Sequence, residues 1–181
     1  YLEEGISFYK NYLKIGVSGV IGGVGLGTAM ITFIWSITNT TAAITLLCLA
    51  AMPFITALLG FLFLKESISV NVWVSIAIAT LGIIIMAFGN HEKNTFTGFI
   101  LGITSAIGFS VFSVSLRWRK ETPKFTTVAL AGLICFIVSL IVIFSKDLTL
   151  FSTSKNQSLF ALHGTIVCLG MILYAIASKN I

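Results

Sequence analysis

Charge is what this sequence lacks. Only 9% of its 181 residues are Asp, Glu, Lys or Arg, while 57% are hydrophobic. A soluble domain carries about 25% charged residues. So few charges cannot cover a surface that faces water, but they suffice where most of the surface faces lipid. Cysteine is scarce too: Cys48, Cys135 and Cys168 each stand alone in an apolar run. No CxxC pair or Cys/His spacing points to a metal, and such thiols pack as small apolar groups without reporting a redox compartment. The two histidines and scattered cysteines offer no convergent nucleophile, acid–base or metal group, which argues against a membrane-embedded enzyme. No cofactor is expected.

The ends also lack something. The chain opens on Tyr1-Leu2-Glu3-Glu4, without the basic region and short apolar core of a cleavable signal peptide. It closes on Ser178-Lys179-Asn180-Ile181, directly after an apolar run. Both ends read as cut, and a fragment of a longer protein is expected.

What is present is apolar length. A hydrocarbon core about 30 Å thick takes about 20 apolar residues in helix. Six segments qualify, at 15–37, 42–64, 70–89, 97–116, 126–144 and 159–178, with short polar breaks between them. The expected class is an all-α integral membrane protein, a bundle of six transmembrane helices. Positive loops stay on the cytoplasmic side. With the N-terminal segment inside, Lys10, Lys14, Lys65, Arg117, Arg119, Lys120, Lys124 and Lys179 lie inside, against Lys93, Lys146 and Lys155 outside. The run Arg117-Trp118-Arg119-Lys120 abuts a span and reads as a topology anchor, not as a nucleic-acid site.

In the first span Gly19, Gly23 and Gly27 recur every four residues, with Gly16, Gly22 and Gly25 nearby, and Gly98 and Gly102 share that spacing in the fourth. Small residues at this period let helix backbones approach closely in lipid. Gly22-Gly23-Val24-Gly25-Leu26-Gly27 also looks like a phosphate loop, but it lacks the preceding strand and the following Lys-Ser/Thr. A shift of 141 residues lays Met30-Ile31-Thr32-Phe33 on Met171-Ile172-Leu173-Tyr174 and Asn39 on Asn180. Five spans separate the copies, so they cross the membrane in opposite directions. An odd-numbered repeat gives the inverted architecture of secondary transporters, with a site between the halves near the midplane.

Three stretches carry a family resemblance. They are Thr40-Thr41-Ala42-Ala43-Ile44, then 51–59 with Pro53, then Leu64-Lys65-Glu66-Ser67. Leu81-Gly82-Ile83-Ile84-Ile85-Met86 follows, and Gly98 with Phe109-Ser110-Val111-Phe112 running to Arg117 looks like the opening of a second copy. Together they resemble the EamA domain of the drug/metabolite transporter superfamily, in which a proline-bearing helix ends in a short Gly/Lys-Glu turn. The resemblance implies ten helices in two inverted five-helix repeats that move amino acids or other metabolites. On that template residues 1–94 hold helices three to five of the first repeat, and 95–181 hold helices six to eight. A multi-pass protein of a bacterial inner membrane is expected, acting on a small polar or zwitterionic metabolite and compatible with a homodimer. The alternative is a non-transporting membrane subunit or scaffold.

Polar side chains at helical spacing within a span prefer a cavity to lipid. Thr28, Thr32, Trp35 and Asn39 share one face of the first span, His163, Gly170, Tyr174 and Ser178 form a stripe in the sixth, and Ser105, Ser110 and Ser113 lie in the fourth. Thr28, Thr32, Trp35, Asn39, Ser110 and Tyr174 are the expected substrate contacts. The competing reading is that these hydroxyls bond their own helix carbonyls. Pro53 reads either as a hinge or as a packing kink, Glu66 as a gate or a latch, and His163 as an interfacial group bonded to a loop or as a proton relay. No Asp or Glu lies within any span, where ion-coupled carriers commonly place one. These helices are therefore expected to act by facilitated movement or exchange. The check is to record lumen pH in liposomes during substrate movement; a proton flux in step with solute would contradict it, unless an acid lies on a helix outside this chain.

Overall fold

The computed structural model describes residues 15–89, 95–119, 122–146 and 154–177, and among the described residues there is no strand. The helices are α1 (Gly16–Asn39), α2 (Ala42–Ala50), α3 (Met52–Leu64), α4 (Val70–Gly89), α5 (Thr95–Trp118), α6 (Lys124–Ser145) and α7 (Ser154–Ala177). With α2 and α3 as one broken rod, they match the six expected spans to within a few residues. Gly16–Asn39, Ala42–Leu64, Phe96–Trp118 and Lys124–Ser145 are each long and apolar enough to cross a membrane. The shorter apolar stretches Val70–Gly82 and Gln157–Met171 sit inside α4 and α7, helices of 20 and 24 residues. At 1.5 Å per residue both helices reach about 30 Å or more, the thickness of a hydrocarbon core. The protein is an all-α membrane protein.

The helix ends keep their backbone groups bonded, as a medium without water requires. Two residues join α1 to α2: Thr40 N–H returns to Ser36 O at 3.0 Å, and Thr41 Oγ1 accepts Ile44 N–H at 3.4 Å. The α3 rod stops at Lys65, a left-handed residue with φ 57°, after which Glu66 N–H turns back to Gly60 O at 3.3 Å.

The central helix is α1, and it is small-sided twice over. Gly25 and Gly108 bring α1 and α5 into backbone contact: a Cβ on Gly108 would lie 2.6 Å from Gly25 O and 3.0 Å from Ala29 N. The pairs Gly22 with Ser115, Gly25 with Gly108 and Ser36 with Gly102 run antiparallel along that seam. The period-four series faces the other way, with Gly19 against Thr127, Gly23 against Leu130 and Gly27 against Ile134, so α6 runs parallel to α1. The broken rod α2–α3 packs along α5. Leu26, Phe112, Leu116 and Ala131 form the buried apolar cluster, joined by Met30, Phe109, Val128 and Met171.

Polarity is arranged inside out relative to a soluble bundle. Ser18, Ser36, Thr45, Ser105, Ser110 and Thr127 are buried, while Phe63, Ile85, Phe144 and Phe160 are each at least two-thirds exposed. Buried hydroxyls bridge helices: Ser105 Oγ donates to Ala29 O (2.8 Å), Ser36 Oγ to Gly98 O (2.7 Å), and Ser18 Oγ lies 2.6 Å from Thr122 Oγ1. Between lipid-facing helices such bonds average about 0.6 kcal/mol each. Lys65, Arg117 and Arg119 gather at the end of the bundle where α1 begins, and Lys146 follows the far end of α6.

The seam predicts opposite outcomes for two alanine substitutions. In Gly108→Ala the new methyl meets backbone, which cannot yield, so a loss of about 1–3 kcal/mol is expected. Gly82 in α4 has nothing within 4 Å of its Cβ position, so Gly82→Ala should be neutral or gain up to ~1 kcal/mol of helix propensity. Thermal unfolding of both variants in bicelles checks this; equal midpoints would show that the α1–α5 contact does not limit stability.

Candidate functional site

The break between α2 and α3 follows from Pro53, which has no N–H to give the carbonyl one turn back. Ala51 N–H bonds Cys48 O at 3.2 Å, and Phe54 and Ile55 N–H both reach Ala51 O at 3.1 and 3.0 Å, restarting the helix with proline in its first turn. Across the seam, Ser110 Oγ on α5 donates to Met52 O at 3.0 Å as well as to Ala106 O at 2.8 Å. The one expected substrate contact on α5 thus braces the break in the neighbouring rod. Pro53 itself is exposed on the outside of that break.

Glu66 meets Arg117. Nη1 lies 2.9 Å from Oε2 and 3.2 Å from Oε1, joining the end of α3 to the end of α5. Gly60 makes the room: a Cβ there would sit 2.5 Å from Glu66 Oε2. Arg117 Nε and Nη2 are buried without acceptors, so this carboxylate is the counter-charge that the guanidinium has. Among the described residues Glu66 is the single carboxylate.

The remaining expected contacts divide. Thr32 is buried and its hydroxyl bonds Thr28 O (2.8 Å) and Ala29 O (3.3 Å), while Thr28 faces outward. Asn39 Nδ2 bonds Trp35 O at 2.7 Å. Tyr174 donates its hydroxyl to Ser113 Oγ at 3.3 Å, its ring 5.8 Å from Phe112. Ser178 lies outside the described residues. Trp35 alone among the six lines the cavity that opens beside α1.

That cavity has a volume of about 860 Å³ and lies between α1, α2, α5, α6 and α7. Its walls are Met30, Phe33, Trp35, Leu49, Phe109, Val138 and Met171, with Cys135, Ser139 and His163 among them and Gly132 and Gly164 opening toward it. Volumes of about 300–1,000 Å³ suit small-molecule sites. His163 and Ser139 make no hydrogen bond to other described residues. Counting polar residues along α1 could not find this wall, because the face that opens to the cavity is the apolar one next to the threonine stripe. Trp35 and His163 were the signals visible in the sequence. Among the described residues no three His, Cys, Asp or Glu side chains gather in a metal-binding group.

Residues 3–88 match the EamA-like transporter family. No curated protein and no solved structure matches the chain.

The Glu66–Arg117 pair predicts an asymmetry. Glu66→Gln strands a largely buried guanidinium, whereas Arg117→Gln leaves a half-exposed carboxylate that water can solvate. The first should cost about 1 kcal/mol or more and the second less than that. A double-mutant cycle on unfolding in bicelles reads the coupling, and strictly additive losses would show that the pair adds nothing.

Proposed function

We propose that this chain, which over residues 3–88 matches the EamA-like transporter family, belongs to a carrier that moves small metabolites by alternating access. The family is one of transporters, which supplies a small-molecule substrate and a multi-pass membrane setting. The observation that carries the finer reading is the cavity of about 860 Å³, set beside a proline-broken rod. A cavity needs moving walls to open on alternate sides, and a rod interrupted at Ala51 can bend there without losing further backbone bonds.

Residues 1–94 and 95–181 are read as parts of two inverted repeats. The antiparallel courses of α1 and α7, carrying the related Met30 and Met171 segments, are in keeping with this; both methionines lie on the cavity wall. The start of α1 toward the cytoplasm is supported by Lys65, Arg117 and Arg119 at that end. Glu66 with Arg117 is the latch that holds α3 against α5 there, and Ser110 is the brace at the break.

Radiolabelled counterflow in proteoliposomes tests the reading. A carrier accumulates label transiently when unlabelled solute is trapped inside; a scaffold or a lipid enzyme does not, and absence of counterflow across a broad metabolite panel would overturn the proposal. Pro53→Ala restores the missing N–H and straightens the rod, so exchange should slow severalfold with unchanged binding. An unchanged exchange rate would reduce Pro53 to a packing role.

A further inference from the structure

We infer that the cavity takes an uncharged solute with an aromatic or branched apolar body and a single hydrogen-bonding head, held by His163 and Ser139. The inference rests on the carrier reading only in treating this cavity as the solute site. It replaces the expectation of a polar or zwitterionic solute, because the groups behind that expectation are engaged elsewhere. Thr32 and Asn39 bond carbonyls of their own helix, Ser110 bonds Ala106 and Met52, and Tyr174 bonds Ser113.

The lining decides the rest. Phe33, Trp35 and Phe109 present aromatic walls, with methionines between them that adapt to varied shapes. Among the described residues no Asp, Glu, Lys or Arg lines the cavity. An ion moved against such walls loses part of its hydration and gains no counter-charge from the described residues, and a zwitterion suffers this twice. A hydroxyl, amide or carbonyl head needs only one or two partners. A neutral imidazole donates with one ring nitrogen and accepts with the other, and a serine hydroxyl does both. His163 and Ser139 have that capacity unspent. The Cys135 thiol on the same wall is engaged with Gly27 O at 3.7 Å.

Two glycines make the cavity testable without disturbing the fold. A Cβ added at Gly132 or Gly164 meets nothing within 4 Å, in contrast to the glycines of the α1–α5 seam. A leucine at Gly132 would project into the cavity and obstruct part of it.

The experiment is calorimetric titration of the full chain in nanodiscs with a matched pair, 2-phenylethanol and L-phenylalanine, which share a ring and differ in charge. Empty nanodiscs correct for partition into lipid. The alcohol is expected to bind at least tenfold more tightly than the zwitterion. Gly132→Leu should weaken it at least tenfold at an unchanged melting temperature, and His163→Leu about fivefold. Equal or tighter binding of L-phenylalanine overturns the inference. So does alcohol binding that Gly132→Leu leaves intact, which would mean lipid partition or another site. Counterflow separates this inference from the carrier reading. Transport of zwitterions that Gly132→Leu does not slow leaves the carrier reading standing and removes this cavity as its site. Alcohol binding sensitive to Gly132→Leu, with no counterflow of any solute, keeps the ligand class and removes the carrier.

Discussion

The backbone contact between Gly25 and Gly108 sets how close α1 and α5 come, and most of the bundle follows from that spacing. Helices in lipid gain little from burying apolar side chains, because the surrounding tails are as apolar as leucine. They gain from close approach. With the two backbones touching, the serine hydroxyls on either side reach across: Ser105 to Ala29 O, Ser36 to Gly98 O. The same approach leaves little space for large residues at the seam, so apart from the buried Leu26, Phe112 and Leu116 many of the Phe, Ile and Leu side chains are turned outward to lipid. A small, polar interior and a large, apolar exterior are two results of one geometric choice.

The broken rod α2–α3 depends on α5 in turn. It is tied at three heights: by the Cys48 thiol near Phe99 O, by Ser110 on Met52 O, and by Glu66 on Arg117. Pro53 removes a hydrogen bond from the rod, and α5 supplies one back within a turn of the break. The Ser110 hydroxyl adds a tie at Met52 O beside the break, while the carbonyl that Pro53 leaves without its helical partner is Leu49 O. The charged tie sits at the end, where water can reach part of it, and the neutral ties sit in the middle, where a charge would be costly. That distribution follows the dielectric profile of a bilayer.

The cavity opens between α1, α6 and α7, with Leu49 of the broken rod and Phe109 of α5 completing its wall. Of the stripe on α1 only Trp35 reaches its wall; the rest of that wall comes from neighbouring apolar residues such as Met30 and Phe33. Thr32 illustrates why: a hydroxyl one turn above two carbonyls of its own helix finds them before it finds a solute. Polar residues at helical spacing mark a cavity only when local backbone bonding does not claim them. His163 makes no hydrogen bond to other described residues and stayed available.

By itself, the sequence determined the class, the number and limits of the helical rods, the break at Pro53 and the closely packed glycine faces. These rest on local properties: apolar length against bilayer thickness, the missing N–H of proline, the missing Cβ of glycine. Which glycine face meets which helix was decided only in three dimensions. The period-four series Gly19, Gly23 and Gly27 faces α6, while the offset Gly22 and Gly25 face α5. The pairing of Glu66 with Arg117, fifty-one positions apart, and the wall shared by Trp35 and His163 were decided there too. A side chain's partner across a bundle depends on crossing angles and register, and these are set by all the contacts together.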